Sequence, residues 1–488
     1  MKLKELLKEI SPLQVRGDIN IEVKGITYDS RQVETGWVFV AIRGLQDDGH
    51  KYISCALEAG ASAVVYSDDT QEFAAPAAVL VDNPRQALAC LAAAYYGHPS
   101  RKFRLIGVTG TNGKTSTTSL LKTIFRAADR KTGLFGTIEN TLDDQVLPAS
   151  HTTPESRDLQ EMFRQLADME ADCCVMEVSS HALSLERVAC CDFNGAVFTN
   201  LTQDHLDFHR DMEDYFQAKL KLFAMLPGDG KHYAVLNADD PASARIAAST
   251  GARVIWYGIR NPADFSAEDI HTGLTGTTFT LRYPGGKIPL GLTLTGRFSV
   301  YNCLAAVATA MEEGIGPGVI AGALSEARVS GRFEPVTEGQ DFAVVVDYAH
   351  TPDSLENVLN TAREITRNRV IVVFGCGGDR DSSKRPLMGE IGVRLSDVAI
   401  LTSDNPRTED PMRILAQVEE GARRAGDHYK IIGNRREAIE EAVAMAGPGD
   451  LVLIAGKGHE EYQIIGTTRH PFSDFQVARQ AISHRSSR

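Results

Sequence analysis

Short apolar runs alternating with helical stretches fill two long parts of this chain, and no other feature limits its fold so strongly. In the first part the runs are Arg104–Val108, Cys173–Val178, Ala196–Thr199, Ala234–Leu236 and Val254–Trp256. In the second they are Phe342–Val346, Val370–Phe374, Val398–Leu401 and Leu451–Ile454. Strands this uniformly apolar are buried on both faces, which requires helices above and below a parallel sheet. Residues 1–99 carry shorter alternating patterns (Ile21–Ile26, Val38–Ile42) and a helical stretch, Gln86–Ala94, which read as a small α/β domain. A chain of 488 residues is too long for one core. We therefore expect three α/β domains, at 1–99, 100–332 and 333–488, with Gly97-His-Pro-Ser100 as a linker and Gly331-Arg-Phe-Glu334 at the second junction.

Composition removes several classes of function. A net charge of −13 argues against a nucleic-acid surface. The apolar runs are far too short to span a bilayer, and the start MKLKELLKEI is mixed in charge, unlike a signal peptide. The eight cysteines form no CxxC, and Cys173-Cys174 and Cys190-Cys191 lie inside apolar runs. They read as buried free thiols in a reducing cytoplasm.

Chemistry concentrates in loops. Gly107-Val-Thr-Gly-Thr-Asn-Gly-Lys-Thr-Ser116 follows a strand and opens a helix. Backbone N–H groups in such a turn converge on phosphate oxygens. Gly110, Thr111, Asn112, Gly113 and Ser116 would line it, Lys114 would reach the β/γ-phosphates, and Thr115 would hold Mg²⁺. The strict P-loop spacing fails, because Val108 stands where the first glycine belongs. Lys219 is informative by position. At about 100° per residue, Tyr215 and Leu222 flank it on one side and Phe216 and Phe223 on the other. Lys219 either snorkels out of this apolar stripe or is buried with a depressed pKa, so that its neutral amine can react. In the C-terminal part, the loops DYAHTPDS, GCGGDRD, SDNPRTED and AGKGHE all follow strands, which places them on one sheet edge, where α/β sheets bind ligands.

TGTNGKT, MEVSSHAL, TNLTQDHLDFH and YFQAKLKLF together resemble the Mur ligase family, ATP-dependent amide-forming enzymes of bacterial peptidoglycan synthesis, and the similarity spans the chain. The resemblance implies ATP as a substrate, with Asn302, Asp347 and Arg332 as further nucleotide contacts. Read alone, Asn302 could cap a helix, Asp347 close a turn, and Arg332 be a solvated linker residue. It implies a second Mg²⁺ near Glu177 and His205, and a CO₂-derived carbamate on Lys219; read alone, His205 could be an ordinary hydrogen-bonded histidine. Lys114, Glu177, His205 and Lys219 would then be the catalytic set.

The resemblance also implies two further substrates. UDP-N-acetylmuramoyl-L-alanyl-D-glutamate would meet Ser30 and Arg31 (in Thr27–Arg31), the stretch Gly44–Ile53, Thr152, Thr153, Ser179, His181 and Arg187. Ser30 and Arg31 could equally form a plain surface turn. The added amino acid would meet Arg380, Asp404, Asn405, Pro406, Arg407, Gly456 and Glu460. DNPR is the form found with meso-diaminopimelate. That molecule carries an amine and a carboxylate at its far end, whereas L-lysine carries only the amine. A guanidinium matches the carboxylate, and Glu460 could pair with the amine. Without that substrate, Arg407 could simply pair with Glu409 or Asp410. The remaining readings are an L-lysine-adding ligase, a folylpolyglutamate synthetase, and a nucleotide-binding regulator without catalysis. A monomer that neither inserts in membranes nor binds nucleic acid is expected.

Overall fold

The computed structural model describes residues 1–44, 47–70, 72–147 and 152–486. Leu45 and Gln46, in the expected Gly44–Ile53 substrate stretch, lie outside them. Among the described residues the strands form sheets of five, eleven and six strands and a two-stranded ribbon. The chain is a three-domain α/β molecule whose sheets are mostly parallel. No helix among the described residues is long and apolar enough to cross a membrane.

The largest sheet is centred on the strand Arg104–Thr109, which pairs in parallel with Cys173–Glu177 on one side and Gly195–Phe198 on the other. Parallel pairing continues outward through Tyr233–Asn237, Arg253–Gly258 and the start of Phe265–Gly273. Each expected strand of the central part is present, one or two residues from its predicted limits. The sequence reading omitted antiparallel strands at both edges: Phe265–Gly273, Gly276–Tyr283 and Gly286–Leu292 at one, Asn140–Leu142 and Gln145–Leu147 at the other.

In the C-terminal sheet the parallel strands run Ala343–Asp347, Leu451–Ala455, Val370–Phe374, Val398–Leu401, Tyr429–Ile431. The four polar loops therefore emerge side by side from one edge, as expected. They face the phosphate loop across the junction between the domains. Asn112 Nδ2 donates to Asp353 Oδ2 (2.8 Å), Gln203 Nε2 to Ser383 Oγ (3.1 Å), and Arg332 Nη2 to Thr115 Oγ1 (3.2 Å).

Gly97–Ser100 runs between the helix Pro84–Tyr95 and the strand Arg104–Thr109 as an ordered connection, Pro99–Arg101 forming a short helical turn with Pro99 and Ser100 buried. One expectation needs correction. Not all cysteines are buried free thiols: Cys90 and Cys190 form a disulfide, and Cys55 is exposed. Cys90 lies on the helix Pro84–Tyr95 of the N-terminal domain and Cys190 in the central domain, so the bond staples two domains. Tertiary packing brings these two distant positions together, which spacing in the sequence does not show.

Candidate functional site

The phosphate loop is shaped by close packing. Gly113 precedes the helix Lys114–Ala127 at φ 86°, and a Cβ there would lie 2.2 Å from Asn302 Oδ1. Only glycine suits such a position. Asn302 is buried in the helix Arg297–Glu312, beyond its N-cap Gly296, so it is no cap; it lies directly under the loop. Thr111 and Asn112 are pinned through their N–H groups to Asn200 O (2.8 Å) and Asn200 Oδ1 (2.9 Å). Lys114 Nζ folds back on Gly110 O (3.0 Å) and Thr111 O (2.8 Å). Val108 is a buried strand residue, so the loop turns later than in a strict P-loop.

Glu177 ends its strand with the carboxylate beside the loop. It accepts from Thr115 Oγ1 (3.1 Å), Thr137 N (2.8 Å) and Thr137 Oγ1 (3.1 Å). His205 sits at φ 57° with its ring 4.8 Å from that of His181. Burial, aided by the charges of His181, Lys114 and Lys219 and opposed by Asp204, whose Oδ2 lies 3.5 Å from Nε2, pushes it down to about 2, so the imidazole is neutral. Among the described residues, no three His, Cys, Asp or Glu side chains converge as a metal cage. The donors present are one carboxylate, one hydroxyl and one imidazole. That partial set fits Mg²⁺, which prefers oxygen and takes much of its shell from phosphates and water.

Lys219 is buried, with 1% of its surface exposed, on the helix Met212–Ala224, whose N-cap Asp211 accepts from Asp214 N (2.8 Å). Lys219 does not snorkel. Its Nζ donates to Gly110 O at 2.8 Å and lies 4.2 Å from the centre of the Tyr215 ring. Burial and the neighbouring Lys114 hold its amine well below the usual lysine range. Lys221, two residues on, faces outward and pairs with Glu186.

Arg332 is not a solvated linker residue. Its guanidinium stacks 4.5 Å from the centre of the Tyr348 ring and reaches Thr115 in the phosphate loop. Asp347, by contrast, is used within the domain junction: it accepts from Phe333 N (2.7 Å) and Ala349 N (2.7 Å). Oδ1 closes the turn to Ala349, while Oδ2 ties the strand end to Phe333, 14 residues back.

Thr152, Thr153, Ser179 and Arg187 meet beside Glu177. Thr153 Oγ1 donates to Glu177 O (2.9 Å) and accepts from Ser179 N (3.2 Å), Arg187 Nη1 donates to Thr153 O (3.1 Å), and Thr152 Oγ1 lies 3.0 Å from Thr137 Oγ1. Glu155 pairs with both Arg187 (3.3 Å) and Arg85 of the N-terminal domain (3.1 Å). His181 is driven down to about 4 by burial and by the charges of His209, Arg380 and Arg187. Residues expected to hold different substrates thus act on one imidazole. Ser30 is half-buried and Arg31 exposed in a short turn, Arg31 pairing with Asp29 at 2.7 Å, while the adjacent Tyr28 donates to Asp158 Oδ2 (2.8 Å) of the central domain.

The C-terminal loops surround Arg407. It sits at φ 51°, its N–H donating to Ile464 O (3.1 Å) and its carbonyl accepting from Gly466 N (2.7 Å). Its Nη1 donates to Gly378 O (2.6 Å), and among the described residues no carboxylate lies within ion-pair distance. Neither alternative partner is available. Glu409 is bound by Arg385, and Asp410 caps the helix Pro411–Ala425 through Met412 N. Burial and the charge of Arg380 lower the pKa of Arg407, against the opposing carboxylates of Asp404, Glu460 and Asp379. Gly377 touches both: a Cβ there would lie 2.9 Å from Arg407 Nη1 and 3.8 Å from Arg380 Cγ. Glu460 is not idle either. It accepts from Lys457 Nζ (2.9 Å) and Asn405 Nδ2 (2.8 Å), while Lys457 also donates to Asn405 Oδ1 (3.1 Å). Asp404 and Pro406 are buried in the same loop, and Gly456, at φ 120°, packs 3.2 Å from Asp404 Oδ2 at its missing Cβ.

This arrangement has relatives. Residues 22–96 match the Mur ligase family catalytic domain, 108–310 the Mur ligase middle domain, and 331–458 the Mur ligase glutamate ligase domain. The chain is 49% identical over 488 residues to a UDP-N-acetylmuramoyl-L-alanyl-D-glutamate–2,6-diaminopimelate ligase of Bacillus velezensis, and 47% over 484 residues to one of Syntrophomonas wolfei. Each alignment covers 99% of both proteins. The chain is a Mur ligase.

A solved structure of a ligase of that same name superposes on it with a TM-score of 0.70, at 33% identity, covering 100% of this chain and 99% of the other. The structure of this Mur ligase adds residues that its sequence did not single out. Lys384, 5% exposed, crosses from the C-terminal domain to place Nζ 3.5 Å from Asp204 Oδ1 in the central domain. Against the opposing effect of burial, Lys384 and His205 hold Asp204 well below the usual carboxylate range. Arg85, Tyr28 and Arg385 were missed as well, and so were the bonds made by Glu409 and Lys457, although both residues lie in the quoted loops SDNPRTED and AGKGHE. Each acts through a partner distant in sequence or buried, so no local pattern marks it. One signal in the sequence was that Lys384 and Arg385 follow GGDRD after only Ser382 and Ser383.

Proposed function

We propose that this Mur ligase uses ATP to join an amine of meso-diaminopimelate to the D-glutamate γ-carboxylate of UDP-N-acetylmuramoyl-L-alanyl-D-glutamate, in the bacterial cytoplasm. The observation that carries the amino-acid assignment is the pair Arg380–Arg407, two neighbouring cations with no carboxylate within ion-pair distance among the described residues, on loops facing the phosphate site. The naming of relatives at 47–49% identity supports it.

In this reading the γ-carboxylate attacks the γ-phosphate to give an acyl phosphate and ADP. The amine then adds to the acyl carbon, and phosphate leaves with the bonding electrons while the amine loses its proton. Lys114 and the N–H groups of the phosphate loop neutralise the phosphates, and Arg332 reaches the same oxygens from the domain junction. Thr153, Ser179 and Arg187 place the D-glutamate end. Positioning two anions against each other is the main task, since the chemistry needs little from the protein beyond charge neutralisation.

Thr115, Glu177, His205 and a carbamate formed on Lys219 would hold Mg²⁺, which supplies positive charge to the transferring phosphoryl group. The depressed pKa of Lys219 supports the carbamate, because a neutral amine adds CO₂ and the product loses a proton to become an anion. Lys219→Ala should lower kcat by at least about a hundredfold, and ¹³C-bicarbonate should give wild type, but not the variant, a carbamate carbon signal in NMR. Activity close to wild type would sink the carbamate. The ligase reading itself is tested by phosphate release from ATP, which should need both the UDP-muramoyl-dipeptide and the amino acid. Release that ignores both would favour a nucleotide-binding regulator.

A further inference from the structure

The loops bearing Arg380 and Arg407 are joined by a network that touches no expected ligand. Arg385, 1% exposed at its side chain, opens the helix Lys384–Leu395. It donates from Nη2 to Glu409 Oε1 (2.8 Å) and from Nη1 to Glu409 Oε2 (2.9 Å), and also reaches Gly377 O (3.1 Å) and Gln417 Oε1 (2.6 Å). Glu409 Oε1 accepts in turn from Asp379 N at 2.6 Å. Asp379 then receives Thr408 Oγ1 on Oδ1 (2.8 Å) and Thr408 N on Oδ2 (3.2 Å). Asp379 and Arg407 both sit at φ 51°, a conformation non-glycine residues rarely adopt and keep only when their surroundings impose it.

We infer that Arg385 and Glu409 are a positioning pair for amino-acid selection: by occupying both Glu409 oxygens, Arg385 leaves Arg407 without an internal carboxylate, and through Asp379 and Thr408 the pair fixes Arg380 and Arg407 side by side. This rests on the proposed reading of the pocket and adds what makes it selective. Glu409 lies two residues from Arg407 and is the carboxylate nearest to it in sequence, while Asp410, one residue further, caps a helix. Released from Arg385, it becomes a competitor for the guanidinium that the far carboxylate of diaminopimelate must meet. A fork-to-fork pair between arginine and a carboxylate is strongly oriented, so the geometry that Arg385 imposes on Glu409 passes directly to Asp379 N.

The test is steady-state kinetics on wild type, Glu409→Gln and Thr408→Val, each with diaminopimelate, L-lysine and L-ornithine. Thr408 is exposed, and its replacement leaves the Arg385–Glu409 pair intact, so it reports even where Glu409→Gln does not fold. Glu409→Gln should raise KM for diaminopimelate by about tenfold or more, with KM for ATP within about twofold, and should lower the preference for diaminopimelate over lysine. Thr408→Val should shift the same quantities in the same direction by about two- to fivefold. A merely structural pair would raise both KM values together, and that result, or unchanged diaminopimelate KM in both variants, overturns the inference. A wild type that turns over lysine but not diaminopimelate overturns the proposed substrate itself, and with it the reason for keeping Arg407 unpaired. Wild type that uses diaminopimelate with unaltered variants overturns the positioning pair alone.

Discussion

Arg407 is held by backbone on both sides and by one carbonyl, Gly378 O, at its guanidinium. Among the described residues no carboxylate lies within ion-pair distance of it, and that close partner is what the far carboxylate of diaminopimelate would supply. Breaking a buried ion pair costs about 3–5 kcal/mol, or about a hundredfold to a few thousandfold. Arg407→Ala is therefore expected to raise KM for diaminopimelate by about that factor, with KM for ATP little changed; equal rises in both would mark the residue as structural. Residues differ in how far sequence reveals them. Lys219 was legible because helical periodicity alone placed a cation inside an apolar stripe, and the structure finds it there. The fate of Arg407 was not, because it turns on Glu409 being engaged by Arg385, 24 residues away. Asp347 lies between the two: the turn closed by its Oδ1 was visible locally, whereas the bond from Phe333 N to its Oδ2, 14 residues away, was not.

At the scale of elements, continuous apolar runs were enough to identify the parallel strands, since such runs have one stable use. The edge strands from Phe265 to Leu292 alternate apolar and polar residues around short turns, and a reading tuned to strand–helix alternation passes over them. The same limit hid the staple between the helix Pro84–Tyr95 and Cys190. That disulfide closes a separation of 100 residues, for which chain entropy gives stabilisation of about 2–5 kcal/mol. Unfolded without reductant, the protein should present six reactive thiols, the number of free cysteines, and reductant should lower its unfolding midpoint. Eight thiols, or a midpoint indifferent to reductant, would remove the staple. Disulfides are uncommon in a reducing cytoplasm, so the bond would form only where oxidation outpaces thiol reductants.

At the scale of the whole molecule, the amino-acid loops and the domain junction are one contact. Gly331 sits at φ 67° with its missing Cβ 2.1 Å from His459 N, and a Cβ on Gly458 would fall 2.7 Å from Gly331 O. The AGKGHE loop thus rests on the junction that carries Arg332 to the phosphate loop. Gly331→Ala cannot be accommodated without moving one of them. It is expected to lower kcat by about tenfold or more while the N-terminal and central domains stay folded, because it separates two sites that must act together. Unchanged kcat would show that the junction tolerates a different closure. The central claim, that unpaired guanidinium groups at a shared sheet edge select an amino acid with a second carboxylate, is tested most directly by measuring kcat/KM for meso-diaminopimelate, L-lysine and L-ornithine with saturating ATP and UDP-muramoyl-dipeptide. The account predicts diaminopimelate ahead of lysine and ornithine by about a hundredfold to a few thousandfold. Lysine equal to or better than diaminopimelate would contradict it.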